Sequence, residues 1–365
     1  MVAGDDPRTD LESGEGAGHG GLGEPLVPAQ ALAQADDPGE AVDHLETVRS
    51  HLAHQQSAIV RPEVERGQPI AQHVHLGRER HHHAERAIER MARSGCALVF
   101  TTSFGFMDAT LKVAEKFPDV KFEHATGYKT ADNVATYNSR FYEGRFINGQ
   151  IAGKMSKTGV AGYIASFPIP EVVAGINAFL HGARTVNPEF KLKVIWVNTW
   201  FDPGKEADAA KALFDQGVDV LTQHTDTTAP MQVAEERGLK AFGQASDMIA
   251  AGPTAQLSAI VDTWAPYYIK RTQAVIDGTW TSAQTFDGLV DGILSMAPYT
   301  NMPDDVKAMA MDTEAKIKSG ELKPFTGPIN KQDGSAWLAE GESADDGTIL
   351  GMNFYIEGVD DKLPQ

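Results

Sequence analysis

From residue 84 onward the chain alternates short apolar runs with helix-length stretches, and this alternation constrains the fold more than any other feature. The spacing predicts a helix over 84–94, a strand in "CALVFTTS" ending at Ser103, a helix in "MDATLKVAEKFP" and a strand in "VKFEHAT" ending at Thr126. The period then repeats through helix 141–156, strand "GVAGYIAS", helix 170–186, strand "KLKVIWVNT", helix 203–216, strand "VDVLTQHT", helix "PMQVAEERG" and strand "KAFGQAS". Strands that alternate with helices in this way belong to parallel sheets with crossover helices. Helix limits are marked as well: Pro170 and Pro203 suit first-turn positions, Asp202 can cap the second, and Gly217 follows its last turn.

Residues 1–83 differ in kind. They contain no Phe, Tyr or Trp, yet hold nine of the twelve histidines. Without aromatic surface to offset ordering entropy, they are expected to be mostly disordered, with 38–56 the best helix candidate through Val42, Leu45, Val48 and Leu52. The string "GAGHGG" lacks a preceding strand and is not a dinucleotide loop. His73, His75 and His81–His83 have no carboxylate or Cys at ligand spacing and read as a polar tract, so no metal is expected. The resulting division is an atypical segment 1–83, a first lobe 84–158, a second lobe 159–256, and a segment 257–365 in which "LSAIVDTW" crosses between lobes.

Charge narrows the partners. A formal net charge of -18 and pI near 5.0 repel nucleic-acid backbones and anionic membranes, so a small neutral ligand fits better. The single cysteine, Cys96, cannot form an internal disulfide or a cysteine zinc site. No apolar run is long enough to span a bilayer, and no signal peptide is legible.

In open parallel sheets, ligands bind outside the carboxyl ends of the strands, where loops diverge and helix N-termini point outward. That rule selects Ser103, Phe104, Phe167, Trp200, Asp247 and Trp264 as ligand-binding candidates. Trp200, just before the Asp202-Pro203 cap, can lie flat on a planar ligand, and Phe104, Phe167 or Trp264 can supply a second face. Asp247 suits an exocyclic amine or a ribose diol, with a turn-forming role as the rival. No nucleophile elbow, HExxH helix or phosphate loop occurs, so no catalytic residue and no cofactor are expected.

The segments "TTSFGFMDATLKVAEKFPDVKFEHATGYKTADNVATY", "SFPIPEVVAGINAFLHGARTVNP", "WVNTWFDPGKEADAAKAL" and "GMNFYIEG" resemble the basic membrane protein family, substrate-binding proteins of ABC importers related to purine nucleoside receptor A. The resemblance runs from about Ala84 to Val359 and implies a type I periplasmic binding fold, an α/β architecture of two doubly wound lobes joined by a hinge. It further implies a monomer, periplasmic or lipid-anchored, that binds a purine base or nucleoside, adenine in particular, and delivers it to permease subunits without performing chemistry. A ligand-sensing regulator of the same fold is the alternative, and a nucleoside-acting enzyme a more distant one. The resemblance supports Trp200 as the stacking ring, Ser103 and Phe104 as facing-lobe contacts, Asp247 as a polar anchor and Trp264 as a contact near the hinge. Family members carry a signal and an aromatic first strand upstream; residues 1–83 match neither, and a disrupted reading frame would account for both differences together.

Overall fold

The computed structural model describes residues 83–364. The glycine string, the candidate helix over 38–56 and the histidine tract except His83 lie outside them. The chain first forms α1 (83–93), β1 (Leu98–Thr101), a 3-10 turn (Phe104–Phe106), α2 (Met107–Lys116), β2 (Lys121–Ala125) and β3 (Val134–Ser139). There follow α3 (Phe141–Met155), β4 (Val160–Ala165), α4 (Pro170–Val186), β5 (Lys191–Trp196), α5 (Pro203–Asp215), β6 (Val220–His224), α6 (Ala229–Arg237), β7 (Lys240–Gly243) and β8 (Gln256–Asp262). The remainder comprises α7 (Ala265–Ile276), β9 (Gln284–Asp287), β10 (Leu294–Met296), α8 (Asp304–Ser319), a small hairpin of β11 (Ile329–Asn330) and β12 (Ala336–Leu338), and α9 (Asp346–Leu350).

These strands form two main sheets. The smaller has the order β1-β2-β3-β9 and is parallel throughout; among the described residues β1 is one of its edges. The larger has the order β10-β8-β7-β6-β4-β5 and is parallel except for β10. The chain passes between the sheets three times, at 139–141, 262–265 and 287–294. Three crossings make the joint a hinge rather than a single tether.

Alternation along β4 explains the layering of the larger sheet. Tyr163 enters a core built on α3 and α4, while Ile164, pointing the other way, enters one built on α5 and α6. Helix α3 falls within the span 84–158 that the sequence assigns to the first lobe, yet it packs on α4 and β8. The boundary therefore moves to residue 140. Glycine permits that packing: a methyl on Gly149 would overlap the carbonyl oxygen of Phe179, and one on Gly182 that of Phe146.

Helix limits follow local chemistry. Pro170 and Pro203 occupy first turns, and Asp202 accepts the Lys205 backbone N–H at 3.1 Å. Gly217, at φ +87°, takes the left-handed conformation just past α5.

Candidate functional site

The carboxyl ends of both sheets face a shared cavity. Phe104, Thr126 and Tyr128 line it from the smaller sheet's loops, and Ile169, Glu171 and Ala174 from the start of α4. Backbone strain marks the same rims: Thr126 after β2, Asn198 after β5 and Ala245 after β7 all have positive φ, 59°, 53° and 55°. For residues with a Cβ this costs about 1–3 kcal/mol each, and such strain gathers at ligand sites.

Of the predicted residues Phe104 lines this cavity, whereas Phe167 and Trp200 meet each other beyond the ends of β4 and β5 without lining it. The half-buried rings of Phe167 and Trp200 stand 5.4 Å apart at 54°, and Trp200 meets the His224 ring at 6.1 Å and 61°. Phe104 packs its ring 6.4 Å from Tyr128, and Ser103 is the half-buried residue preceding the Phe104–Phe106 turn. Trp264 belongs to another aromatic group, 5.1 Å from Tyr137 and 6.4 Å from Tyr268, at the crossing into α7. Asp247 is exposed, and its Oδ1 accepts the Ile249 backbone N–H at 3.0 Å and Gln256 Nε2 at 2.7 Å. That oxygen is occupied in shaping a turn, the rival role the sequence allowed.

Sequence reasoning missed a polar group beneath the rings. Arg145 of α3 is wholly buried and donates to Thr222 Oγ1 at 2.8 Å, to the Gln223 carbonyl at 2.6 Å and to Gln244 Oε1. Its guanidinium also lies over the rings of Phe141 and Tyr163. This fixes the floor under the ends of β6 and β7. Glu171, in the first turn of α4 where the helix dipole favours an anion, approaches His224 Nε2 at 3.5 Å. Burial lowers the His224 pKa more than Glu171 raises it, so the imidazole is neutral. Asp226, whose backbone N–H donates to the Trp200 carbonyl at 2.9 Å, has its pKa pushed up to about 7 by burial, then by Glu206 and Glu171.

No periodicity points to a buried Arg or a strand-terminal His. Their one signal is position: His224 ends the apolar run "VDVLTQHT" at the rim where ligands bind. Among the described residues no cluster of His, Cys, Asp or Glu suits a metal ion, and no helix is long and apolar enough to cross a membrane.

Two mostly parallel sheets, three crossings and a cavity between their carboxyl ends define a two-lobed α/β binding protein. Residues 61–332 match the Bmp family, described as ABC transporter substrate-binding protein PnrA-like, and the chain belongs to that family. Its place is that of the substrate-binding component of an ABC importer. It is 70% identical over 282 residues to a purine-binding protein of Brucella abortus (strain 2308), covering 77% of this chain and 81% of that one. It is also 37% identical over 282 residues to the provisionally named ABC transporter glucose-binding protein TsgA13 of Haloferax volcanii, covering 77% and 70%. Among solved structures, an ABC transporter solute-binding protein from Aeropyrum pernix K1 shares the fold at 21% identity, with a TM-score of 0.57 over 66% of this chain and 80% of that one.

Proposed function

We propose that the chain captures a purine, adenine in particular, between its two lobes and hands it to a membrane permease without covalent chemistry. The 70% identity to a purine-binding protein carries this reading. The ring group of Phe167, Trp200 and His224 at the ends of β4, β5 and β6 supports it, because a flat heterocycle gains most from flat partners. Trp200 is the stacking face, Phe167 backs it, Ser103 and Phe104 approach from the facing lobe, and Asp247 and Trp264 border the site. The protein acts as a monomer outside the cytoplasmic membrane, free or lipid-anchored, and binds no nucleic acid.

Calorimetric and fluorescence titration of the full chain with adenine, adenosine, guanosine, ribose and glucose, followed by product analysis, tests the assignment. Adenine is expected to bind, quench tryptophan emission and be recovered unchanged. Trp200→Ala is expected to weaken it by about 1–3 kcal/mol, roughly 5- to 150-fold, the range for loss of one stacking ring. A response to glucose alone would overturn the purine reading, and turnover would overturn the transport reading.

A further inference from the structure

Among the described residues that line the interlobe cavity, Glu171 is the single charged side chain, and it shares that lining with Phe104, Phe141 and Asn138. Glu171 comes from the larger lobe as the second residue of α4, and Asn138 from the smaller lobe as the last but one of β3. Glu171 Oε1 lies 3.5 Å from Nε2 of the buried His224, which orients the carboxylate, whereas Oε2 has no partner among the described residues. Asn138 is 9% exposed, and its Oδ1 accepts the Ser139 backbone N–H at 2.8 Å. That bond fixes the amide: the oxygen turns to the backbone donor, and the NH2 group turns away from it. The NH2 group has no acceptor among the described residues. Neither Glu171 Oε2 nor Asn138 Nδ2 is sealed off, so both are open to the cavity that their residues line.

The two groups are complementary. An ionised carboxylate only accepts, and an amide NH2 only donates. No Lys, Arg or His is among the described residues of the lining, so the counterpart of the carboxylate there is a donor brought by the ligand. A nine-tenths buried amide whose donors are unpaired calls in the same way for an acceptor from outside the chain.

We propose that Glu171 and Asn138 read the amine edge of the bound base from opposite lobes, Glu171 Oε2 accepting from the exocyclic N–H and Asn138 Nδ2 donating to the adjacent ring nitrogen. This rests on the purine reading above. Because the two groups belong to different lobes, the edge that confers specificity also ties the lobes together and favours their closed arrangement. A purine without the amine, or with its amine dialkylated, brings no proton to Glu171 and leaves the carboxylate unpaired.

Calorimetric titration of the full chain with adenine, unsubstituted purine and 6-(dimethylamino)purine, repeated for Glu171→Ala, Glu171→Gln and Asn138→Asp with thermal unfolding of each, tests the pair. The parent is expected to bind adenine at least about tenfold more tightly than either of the other two. Glu171→Ala is expected to weaken adenine about 10- to 100-fold, the range for one hydrogen bond to a charged group, and unsubstituted purine far less, so that the preference for the amine collapses. Glu171→Gln, which keeps a carbonyl oxygen, is expected to retain part of it. Asn138→Asp keeps the bond to the Ser139 N–H but exchanges the donor for an acceptor, and is expected to weaken adenine and purine alike by about tenfold or more. Equal affinity of the parent for adenine and 6-(dimethylamino)purine, parallel weakening of adenine and purine by Glu171→Ala, or unchanged binding by Asn138→Asp overturns the inference and leaves the purine reading intact. A parent chain that binds none of the three removes the purine reading and this inference with it. Should Glu171→Ala not unfold cooperatively, Glu171→Gln and the parent's own ranking of the three ligands decide.

Discussion

The larger sheet is packed mainly by apolar side chains on both faces, with the buried ion Arg145 on one of them, whereas one face of the smaller sheet carries a buried carboxylate among aromatic rings. On β2, Phe122 enters a core formed with α1 and α2, while the next residue, Glu123, points the other way and is completely buried. Glu123 accepts from Tyr267 Oη at 2.7 Å, from Trp280 Nε1 at 2.7 Å and from Arg271 Nε, all reached through α7 or the loop after it. Beside this clamp, Phe100, Tyr137, Tyr267, Tyr268 and Trp264 form one aromatic group. Apolar packing is tolerant of small shifts, whereas a hydrogen-bonded carboxylate is directional. The smaller lobe is therefore oriented by a single carboxylate on β2, held by donors on and just after the helix that leads out of a hinge crossing.

The sharpest way to break this asymmetry is Glu123→Ala. It leaves the largely buried Arg271 guanidinium, 12% exposed at its side chain, without its counter-charge, and orphans two further donors. Removing one partner of a buried pair typically costs about 3–5 kcal/mol. Urea unfolding followed by circular dichroism is expected to split into two transitions, the first belonging to the smaller lobe. A single transition at the parent midpoint would show that Glu123 does not govern the lobe.

A second effect, on the order of 2 kcal/mol, concerns pH and the same strand. His124 is 1% exposed, its Nδ1 lies 2.8 Å from Thr101 Oγ1, and burial lowers its pKa to about 4. The unfolded chain, with a pKa near 6.5, binds the proton first as pH falls. Stability from this residue is therefore fully present above about pH 6.5 and is lost progressively as pH falls toward 4. Glu143 and Asp226, raised to about 6 and about 7, act in the opposite sense, so the difference between variant and parent is the diagnostic quantity. His124→Gln is expected to flatten the acid limb of a stability–pH curve; an unchanged slope would refute the assignment.

Legibility in the sequence followed from how each element is stabilised. Helix 170–186 is readable to the residue because Pro170 opens it and its apolar run, buried almost all round, is too long for a strand. Strand β3, "VATYNS", was missed because it is buried on every residue yet carries Thr136, Asn138 and Ser139, whose polarity reads as loop. Strands β9 and β10 have four and three residues, too short for any period, and owe their existence to their neighbours in the sheets. At the site, the strand-end rule found Phe167 and Trp200, which touch, but could not find Arg145 or Glu171. Those residues lie on helices, and only tertiary packing brings them beneath the strand ends. Asp247 was selected by the same rule, yet its contacts are local, since a carboxylate two residues before a backbone N–H closes a turn whatever else is near.

The smallest effect sharpens the comparison from the larger lobe. Asp202 caps α5 by accepting the Lys205 N–H, and its own N–H donates to Glu206 Oε1 at 2.9 Å. The other oxygen of Glu206 accepts from Thr227 Oγ1 at 2.7 Å and from the Thr227 backbone N–H at 3.2 Å, joining the loop that carries Trp200 to the loop after β6. Asp202→Ala removes the cap alone, because the backbone bond to Glu206 survives, and is expected to cost about 1 kcal/mol. Where Glu123→Ala separates a lobe, this change is expected to lower the midpoint without splitting the transition and to leave adenine affinity within about twofold, as the Glu206 bridge still positions the Trp200 loop. A split transition, or a loss of affinity comparable to that of Trp200→Ala, would mean that the cap rather than the bridge holds the loop, and that the larger lobe also hangs on a single carboxylate.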